Sequence, residues 1–392
     1  MRTVLIVLAV LTLAMTGLAH ALDSAAPRVI VYEEATSSLL LARGEDEPIA
    51  PANFTKLMTA AVVFEALANH EITDATVYQV SEHAWRSGGA PARVTTMFAA
   101  VRSYVSVGDL LRGLAVDYAN DAAIVLAEGL TGSESSFTDR MNAVAARIGL
   151  VGTHYANPTG FPDPTSRTTL TDVVALVRYL AATYPERYAL YALPEFAWNK
   201  ITQTNKTRLV RELPGTEGLV LAYDDQSGFA GVIATRRGER RVIVALSGLK
   251  TVDERDKEAR RLIEAALGDY GRYELFGAGA VVGRARVFGG ASDEVPLTTV
   301  GGAPLMMTLP NGSRAEFRLA VTYDGPVPAP IVKGQRLGRL VAYSNDRLYQ
   351  SVPLAAAADV PLGDLRTRAL DGFKELLIGW WRDAIAAIDL HK

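Results

Sequence analysis

The sequence contains no cysteine, which excludes disulfides, thiolate metal sites and a cysteine nucleophile. Histidine is nearly as scarce: there are five, at positions 20, 70, 83, 154 and 391. None forms an H-E-x-x-H or a close pair, so a histidine-ligated metal has no support. An excess of one charge is missing too. Forty Lys and Arg against 43 Asp and Glu leave a formal charge of −3, without a dense basic run. A nucleic-acid binder would carry a basic stripe, so that class is disfavoured. There is no G-x-S-x-G, no Gly-rich phosphate loop ending in Lys-Ser or Lys-Thr, and no G-x-G-x-x-G opening a helix. Hydrolase-elbow, nucleotide and dinucleotide chemistries therefore lack their fingerprints. The carboxylates show no pairing that assigns them acid–base work, and no cofactor or metal is called for.

What is present is a long, globular chain. Its 392 residues are 49% apolar and 21% charged, enough for two to three domains at roughly 150 residues each. Arg2, an apolar stretch over 4–14 and Ala19-His20-Ala21 together read as a secretory signal peptide over 1–21, cleaved after Ala21. The stretch is short for a spanning helix; an uncleaved anchor is the alternative.

Strand and helix patterns mix from residue 29 to about 270. Residues 28–32 and 38–42 read as a hairpin. The run 56–66 is apolar nearly all round, which predicts a helix buried on most sides. Further helices are expected from about 110, over 121–130, over 137–148 with a stop at Gly149, over 171–182 and over 256–266. Residues 157–164 form a rigid Pro/Gly loop. Residues 228–235 and 241–247 read as strands. From 274 to 354 the pattern turns to short β-type runs, clearest at 315–323, where it alternates with period two.

In the last segment Leu370, Phe373, Leu377, Trp380, Trp381, Ala384 and Ile388 follow helical spacing. Such a helix can lie in a membrane interface, with Phe373, Leu377, Trp380 and Trp381 facing lipid. Packing on its own protein or on a partner is the bland alternative.

The most informative segment is Pro51-Ala52-Asn53-Phe54-Thr55-Lys56-Leu57-Met58-Thr59. It resembles the P-A-S-x-T-K-L-M-T segment of the serine D-alanyl-D-alanine carboxypeptidases, the low-molecular-weight penicillin-binding proteins. Other stretches resemble that family as well, among them Ser81-Glu82-His83-Ala84-Trp85, Asn157-Pro158-Thr159-Gly160-Phe161, Ile201-Thr202-Gln203-Thr204-Asn205 and Ile331-Val332-Lys333-Gly334-Gln335. The resemblance implies an α/β penicillin-binding/transpeptidase-like (β-lactamase-like) domain over 25–270. A smaller all-β domain follows over 274–358, then an amphipathic membrane-anchor helix over 362–388. It also implies an exported, periplasmic protein at the inner membrane, whose partners are a peptidoglycan stem peptide or a cell-wall protein. In the family, a Ser and a Lys one helical turn apart share a face. The Lys accepts the hydroxyl proton and the Ser forms an acyl-enzyme.

Here the motifs depart from the pattern. Asn53 stands at the nucleophile position, and an amide has no hydroxyl with which to form an ester. Lys56 keeps the general-base position as a leftover amine, with Asn53 and Asn120 its expected hydrogen-bond partners. The Ser-x-Asn motif reads Tyr118-Ala119-Asn120: its Ser is lost and its Asn retained. The Lys-Thr-Gly motif falls on Val220-Leu221-Ala222, without charge, hydroxyl or glycine. Arg255 corresponds to the residue that holds the substrate carboxylate, although its acidic neighbours allow a plain solvated charge.

Substitute nucleophiles are weak. Thr55 lies two residues from Asn53, about 200° round a helix, and Thr59 is deeper. Tyr118 is a phenol of pKa about 10. Ser247-Gly248-Leu249-Lys250 matches Ser-x-x-Lys only by count. Three readings follow: a silent carboxypeptidase relative that binds peptidoglycan or a partner; an enzyme with altered residues; or a structural protein whose cleft is filled by Tyr118, Val220 and Leu221. An open cleft with Lys56, Asn120 and Arg255 facing inward favours the first, and a cleft packed shut favours the last.

Overall fold

The computed structural model describes residues 3–12, 22–312, 316–344, 346–365 and 369. The chain divides into two units, one of residues 22–35 with 40–269, the other of residues 1–21, 36–39 and 270–392. At its start, β1 (Thr3–Thr12) runs antiparallel to a strand of the second unit. A stretch rich in Val, Leu and Ile suits a strand as well as a secretory core.

The first unit is built on a sheet of five strands, β2 (Arg28–Glu33), β3 (Ser38–Arg43), β8 (Thr216–Asp224), β9 (Gly228–Arg237) and β10 (Arg240–Leu249), in the order β3-β2-β10-β9-β8. Two small strand pairs were not foreseen: β4 (Val77–Gln79) pairs with β5 (Tyr104–Ser106), and β6 (Glu195–Trp198) pairs with β7 (Ile201–Thr204). The helices are α1 (Thr55–Ala68), α2 (Val107–Val116), α3 (Asn120–Thr131), α4 (Glu134–Arg147), α5 (Leu170–Thr183), the short α6 (Pro185–Tyr188) and α7 (Leu209–Glu212), and α8 (Val252–Gly268). The expected helices over 56–66, 121–130, 137–148, 171–182 and 256–266 all form, and the helix expected near 110 begins at Val107.

The caps explain the boundaries. Ser106, Ser133, Thr169 and Thr251 each accept a backbone N–H three residues on, which satisfies a donor the helix leaves open. Helix α1 has no side-chain cap. Burial holds it instead: every residue from Thr55 to Phe64 is buried, which explains its apolar pattern on all sides.

Glu258 on α8 ties down the start of this unit. It accepts Ser24 Oγ at 2.7 Å, Ala25 N at 3.0 Å and the Arg261 guanidinium at 2.8 Å. Burial alone would raise its pKa, but these donors outweigh it and hold the carboxyl down at about 2. A depressed carboxyl contributes stability above its unfolded pKa and loses it as pH falls through the folded value. Glu258→Gln is therefore expected to cost about 1–3 kcal/mol at pH 7. Urea titrations should show the gap from wild type closing as pH falls from about 4.5 towards about 2.

The second unit is all β. Strands β15 (Glu316–Asp324), β17 (Arg336–Ser344), β18 (Arg347–Ala356), β13 (Glu294–Thr299), β12 (Gly283–Phe288) and β16 (Val327–Pro328) are neighbours in that order, while β11 (Tyr270–Phe276) pairs with β14 (Leu305–Pro310). The expected alternation is realised in β15, where Phe317, Leu319, Val321 and Tyr323 enter the core beside Leu297, Leu340 and Leu354. Strand β1 lies on β15, with Val4 opposite Tyr323.

Candidate functional site

The geometry begins at the entry to α1. Pro51 leads into a single 3₁₀ turn, Ala52–Phe54, with Ala52 at φ +41°. That turn is clasped by the 157–164 loop. Asn157 Oδ1 accepts the N–H groups of Thr159, Gly160 and Phe161 at 3.2, 2.7 and 3.1 Å, an Asx cage that fixes the loop. Gly160 sits at φ +80°, and a Cβ there would lie 1.7 Å from Ala52 O. Only glycine permits that approach.

The clasp aims two carbonyls at α1. Lys56 Nζ donates to Thr159 O at 2.5 Å, and Thr59 Oγ1 donates to Pro158 O at 2.7 Å. The other acceptor for Lys56 is Asn53 Oδ1 at 2.8 Å. Lys56 is 1% exposed, and desolvation lowers its pKa to about 7. Thr55 Oγ1 is buried without a hydrogen-bond partner.

Opposite α1 runs β8, at one end of its sheet. Asn53 spans the gap, its Nδ2 donating to Leu221 O at 3.0 Å. A backbone carbonyl on a sheet edge is a free acceptor until something pairs with it, and here the Asn53 amide does. A register shift falls between Glu217 and Val220, after which Val220, Leu221 and Ala222 pair with Val232, Gly231 and Ala230. All three are buried.

Tyr118 joins α2 to α3 at φ +58°, a left-handed conformation that costs about 1–3 kcal/mol for such a residue. Its buried hydroxyl lies 2.8 Å from Thr207 Oγ1 and donates to Gly218 O at 3.1 Å. Burial raises the phenol pKa well above its usual value, the wrong direction for a nucleophile. Tyr118→Phe is expected to lose about 1 kcal/mol in urea unfolding; an unchanged midpoint would show that the hydroxyl is replaced by water at no cost.

The sequence-predicted residues converge, with two changes of partner. Asn120 does not reach Lys56: its Nδ2 and its backbone N both donate to Thr95 O, each at 2.9 Å. Arg255 is not a solvated charge but 5% exposed. Its guanidinium is paired to Asp256 at 2.8 Å, and Asp256 also takes Arg208 at 2.8 Å. The Arg255 stem and Leu221 both lie over Gly231. Ser247 lies within β10, two residues before its end, with its hydroxyl on Ser227 O, and opens no helix, as expected of a match by count alone. Residues Phe373, Leu377, Trp380 and Trp381 lie outside the described residues.

A cavity of 170 Å³ opens beside Asn53. Ala52, Gly160, Phe161, Tyr223 and Asp224 line it, whereas Lys56, Tyr118, Asn120, Leu221 and Arg255 do not. Sequence reasoning missed the acceptors at Thr159, Thr95 and Gly218, because a backbone carbonyl carries no sequence signal of its own.

A five-stranded sheet with a buried helix-borne lysine against its end strand, followed by an all-β unit, defines a penicillin-binding, transpeptidase-like protein. Comparison with known proteins agrees. A family profile described as D-alanyl-D-alanine carboxypeptidase matches residues 15–251, and one described as the penicillin-binding protein 5 C-terminal domain matches 270–362. The chain belongs to the D-alanyl-D-alanine carboxypeptidase family. It is 30% identical to the D-alanyl-D-alanine carboxypeptidase DacD of Escherichia coli over 348 residues, 88% of this chain and 89% of the relative. Among solved structures, penicillin-binding protein 5 of Haemophilus influenzae superposes with a TM-score of 0.72 at 27% identity, over 86% of this chain and 98% of that one. Penicillin-binding protein 6B of Escherichia coli gives 0.64 at 26% identity, over 85% and 96%.

Proposed function

We propose that this chain is a catalytically silent member of its family, serving peptidoglycan metabolism as a structural or binding protein rather than as a hydrolase. The observation that carries this is the state of Asn53. Its side chain is held between Lys56 Nζ at 2.8 Å and Leu221 O at 3.0 Å. The amide has no proton to give up towards an ester. The lysine that would act as base is occupied by two oxygen acceptors. The groups at the second and third motifs are packed, and so is Arg255: Tyr118, Val220, Leu221 and Arg255 are all buried. Of the three sequence readings, this favours the filled cleft. Binding of peptidoglycan or of a partner is then assigned to surfaces other than the old cleft. The deciding experiment is covalent labelling with a fluorescent penicillin, read by intact mass.

The same proposal includes export after cleavage at Ala21 and peripheral attachment at the inner membrane through the helix expected over 362–388. Among the described residues no helix is long and apolar enough to cross a membrane. The mass of the mature N-terminus, and fractionation with and without residues 366–392, check these two points.

A further inference from the structure

Away from Asn53, one cluster joins a hydroxyl, an imidazole and a carboxylate in series. His83 Nε2 lies 2.6 Å from Glu134 Oε1, and Ser87 Oγ lies 3.3 Å from His83 Nδ1. Nucleophile, base and orienting acid stand in that order in a serine hydrolase triad, which is recognised by geometry and roles rather than by position in the chain. None of the three residues lines the cavity beside Asn53.

Local structure brings them together. His83 and Ser87 flank and end a π-helical turn, Ala84–Gly88, and their four-residue spacing puts both on one face. Such turns are rare and recur at functional sites. Two glycines hold the serine's segment close to its neighbours. A Cβ on Gly88 would lie 2.6 Å from Asp121 N, and one on Gly89 2.5 Å from Trp85 O. Glu134 opens α4 just after its cap, Ser133, and reaches His83 across 51 residues of chain.

The carboxylate sets the protons. It only accepts, so in the neutral ring the proton sits on Nε2 facing Glu134, and Nδ1 keeps its lone pair for the Ser87 hydroxyl. The cluster is open to a substrate: the His83 and Glu134 side chains are 55% and 27% exposed, and Ser87 is half-buried. The adjacent cation, Arg86, is paired with Glu82 at 2.8 Å, so it is not free to recruit a carboxylate-bearing ligand such as a penicillin. An alcohol leaves more readily than an amine, so an exposed nucleophile with one base suits an ester better than a peptide.

We infer that Ser87 is an acyl-accepting nucleophile, with His83 as its base and Glu134 as a positioning residue, and that it takes small uncharged acyl groups from esters. The bond from Ser87 Oγ to the acyl carbon forms as the ester C–O bond breaks. The hydroxyl proton passes to His83 Nδ1 and on to the leaving alcohol. Water then attacks the acyl carbon, returns a proton to Ser87 Oγ by the same route and releases the carboxylic acid. This chemistry is independent of the silence at Asn53, which concerns penicillins and D-Ala release.

The test treats the purified full-length protein with diisopropyl fluorophosphate, read by intact mass and peptide mapping, and with 4-nitrophenyl acetate for turnover. One phosphoryl adduct, on Ser87, is expected. Turnover should fall at least about tenfold in Ser87→Ala and in His83→Gln. Glu134→Gln should lower kcat at least about tenfold with KM unchanged, a split that a merely structural carboxylate would not produce. Thermal unfolding of these variants should match wild type, since all three side chains reach solvent. The chain has no cysteine, so Ser87→Cys adds a clean second readout. It should react with iodoacetamide about tenfold faster than the same variant carrying His83→Gln, because a neighbouring imidazole favours the thiolate. Three results would each overturn the inference: no adduct on Ser87, unchanged turnover in Ser87→Ala, or equal iodoacetamide rates with and without His83. Any of them would leave the cluster as surface hydrogen bonds only.

Discussion

Incubated with a fluorescent penicillin, the wild-type protein is expected to show no increase in intact mass. Its release of D-Ala from a pentapeptide should be at least about 10⁴-fold slower than that of an intact family member, the scale of loss when such a nucleophile is removed. The reason is first chemical, because an amide cannot form the ester intermediate. It is also geometric, and the geometry makes Asn53→Ser the sharper experiment. A serine there would have a base nearby, because Lys56 Nζ lies 2.8 Å from Asn53 Oδ1 and its pKa is about 7. It would still face Val220 and Leu221 in place of a cation and a hydroxyl donor, with Tyr118 where a small side chain stood. Losing the groups that stabilise charge and orient substrate costs about 10²–10³ by itself. Asn53→Ser is thus expected to acylate at least about 100-fold more slowly than an intact relative. An adduct on the wild-type chain would sink the reading and its mapped position would name the nucleophile. Asn53→Ser labelling at a relative's rate would confine the silence to one side chain.

The second large effect is on stability. Lys56 is fully buried with no carboxylate partner among its hydrogen bonds, and desolvation depresses its pKa to about 7. The unfolded lysine titrates near 10.4. Between these values the unfolded chain binds more protons than the folded one, so stability must rise with pH across that window. Below about pH 7 the native state carries the ammonium at a cost; above it, the native state holds a neutral amine. Relative to Lys56→Met, the wild-type protein is expected to gain about 2–3 kcal/mol between pH 6 and pH 9, close to 1.4 kcal/mol per unit above pH 7. Urea unfolding of both proteins at three pH values measures it. Using the difference between the proteins removes the pH dependence of all other groups. A flat difference would mean that Lys56 keeps an ordinary pKa and that water or an anion reaches it.

Much of the fold was legible because its determinants are local. The all-round apolar run at 56–66 becomes the buried α1, and the period-two stretch at 315–323 becomes β15 with Phe317, Leu319 and Val321 inward. The hairpin of β6 and β7 went unread, although its segment had been noted for resemblance. Four-residue strands with exposed polar faces leave no periodic signal. The 3–12 stretch, whose apolar composition was read as part of a secretory signal, pairs with β15.

By itself, the sequence determined the family and the fold class, because these are properties of residue type and spacing. It also determined that Asn53 offers no hydroxyl. Tertiary structure alone decided where those side chains point. The Lys56 ammonium went to Thr159 O rather than to Asn120, Asn120 went to Thr95 O, and Arg255 withdrew from solvent to Asp256. Each choice depends on backbone carbonyls and carboxylates brought close by loops and strands distant in the chain. Hydrogen bonds and ion pairs act over a few ångströms of space, and residues far apart in the chain come that near only once it has folded.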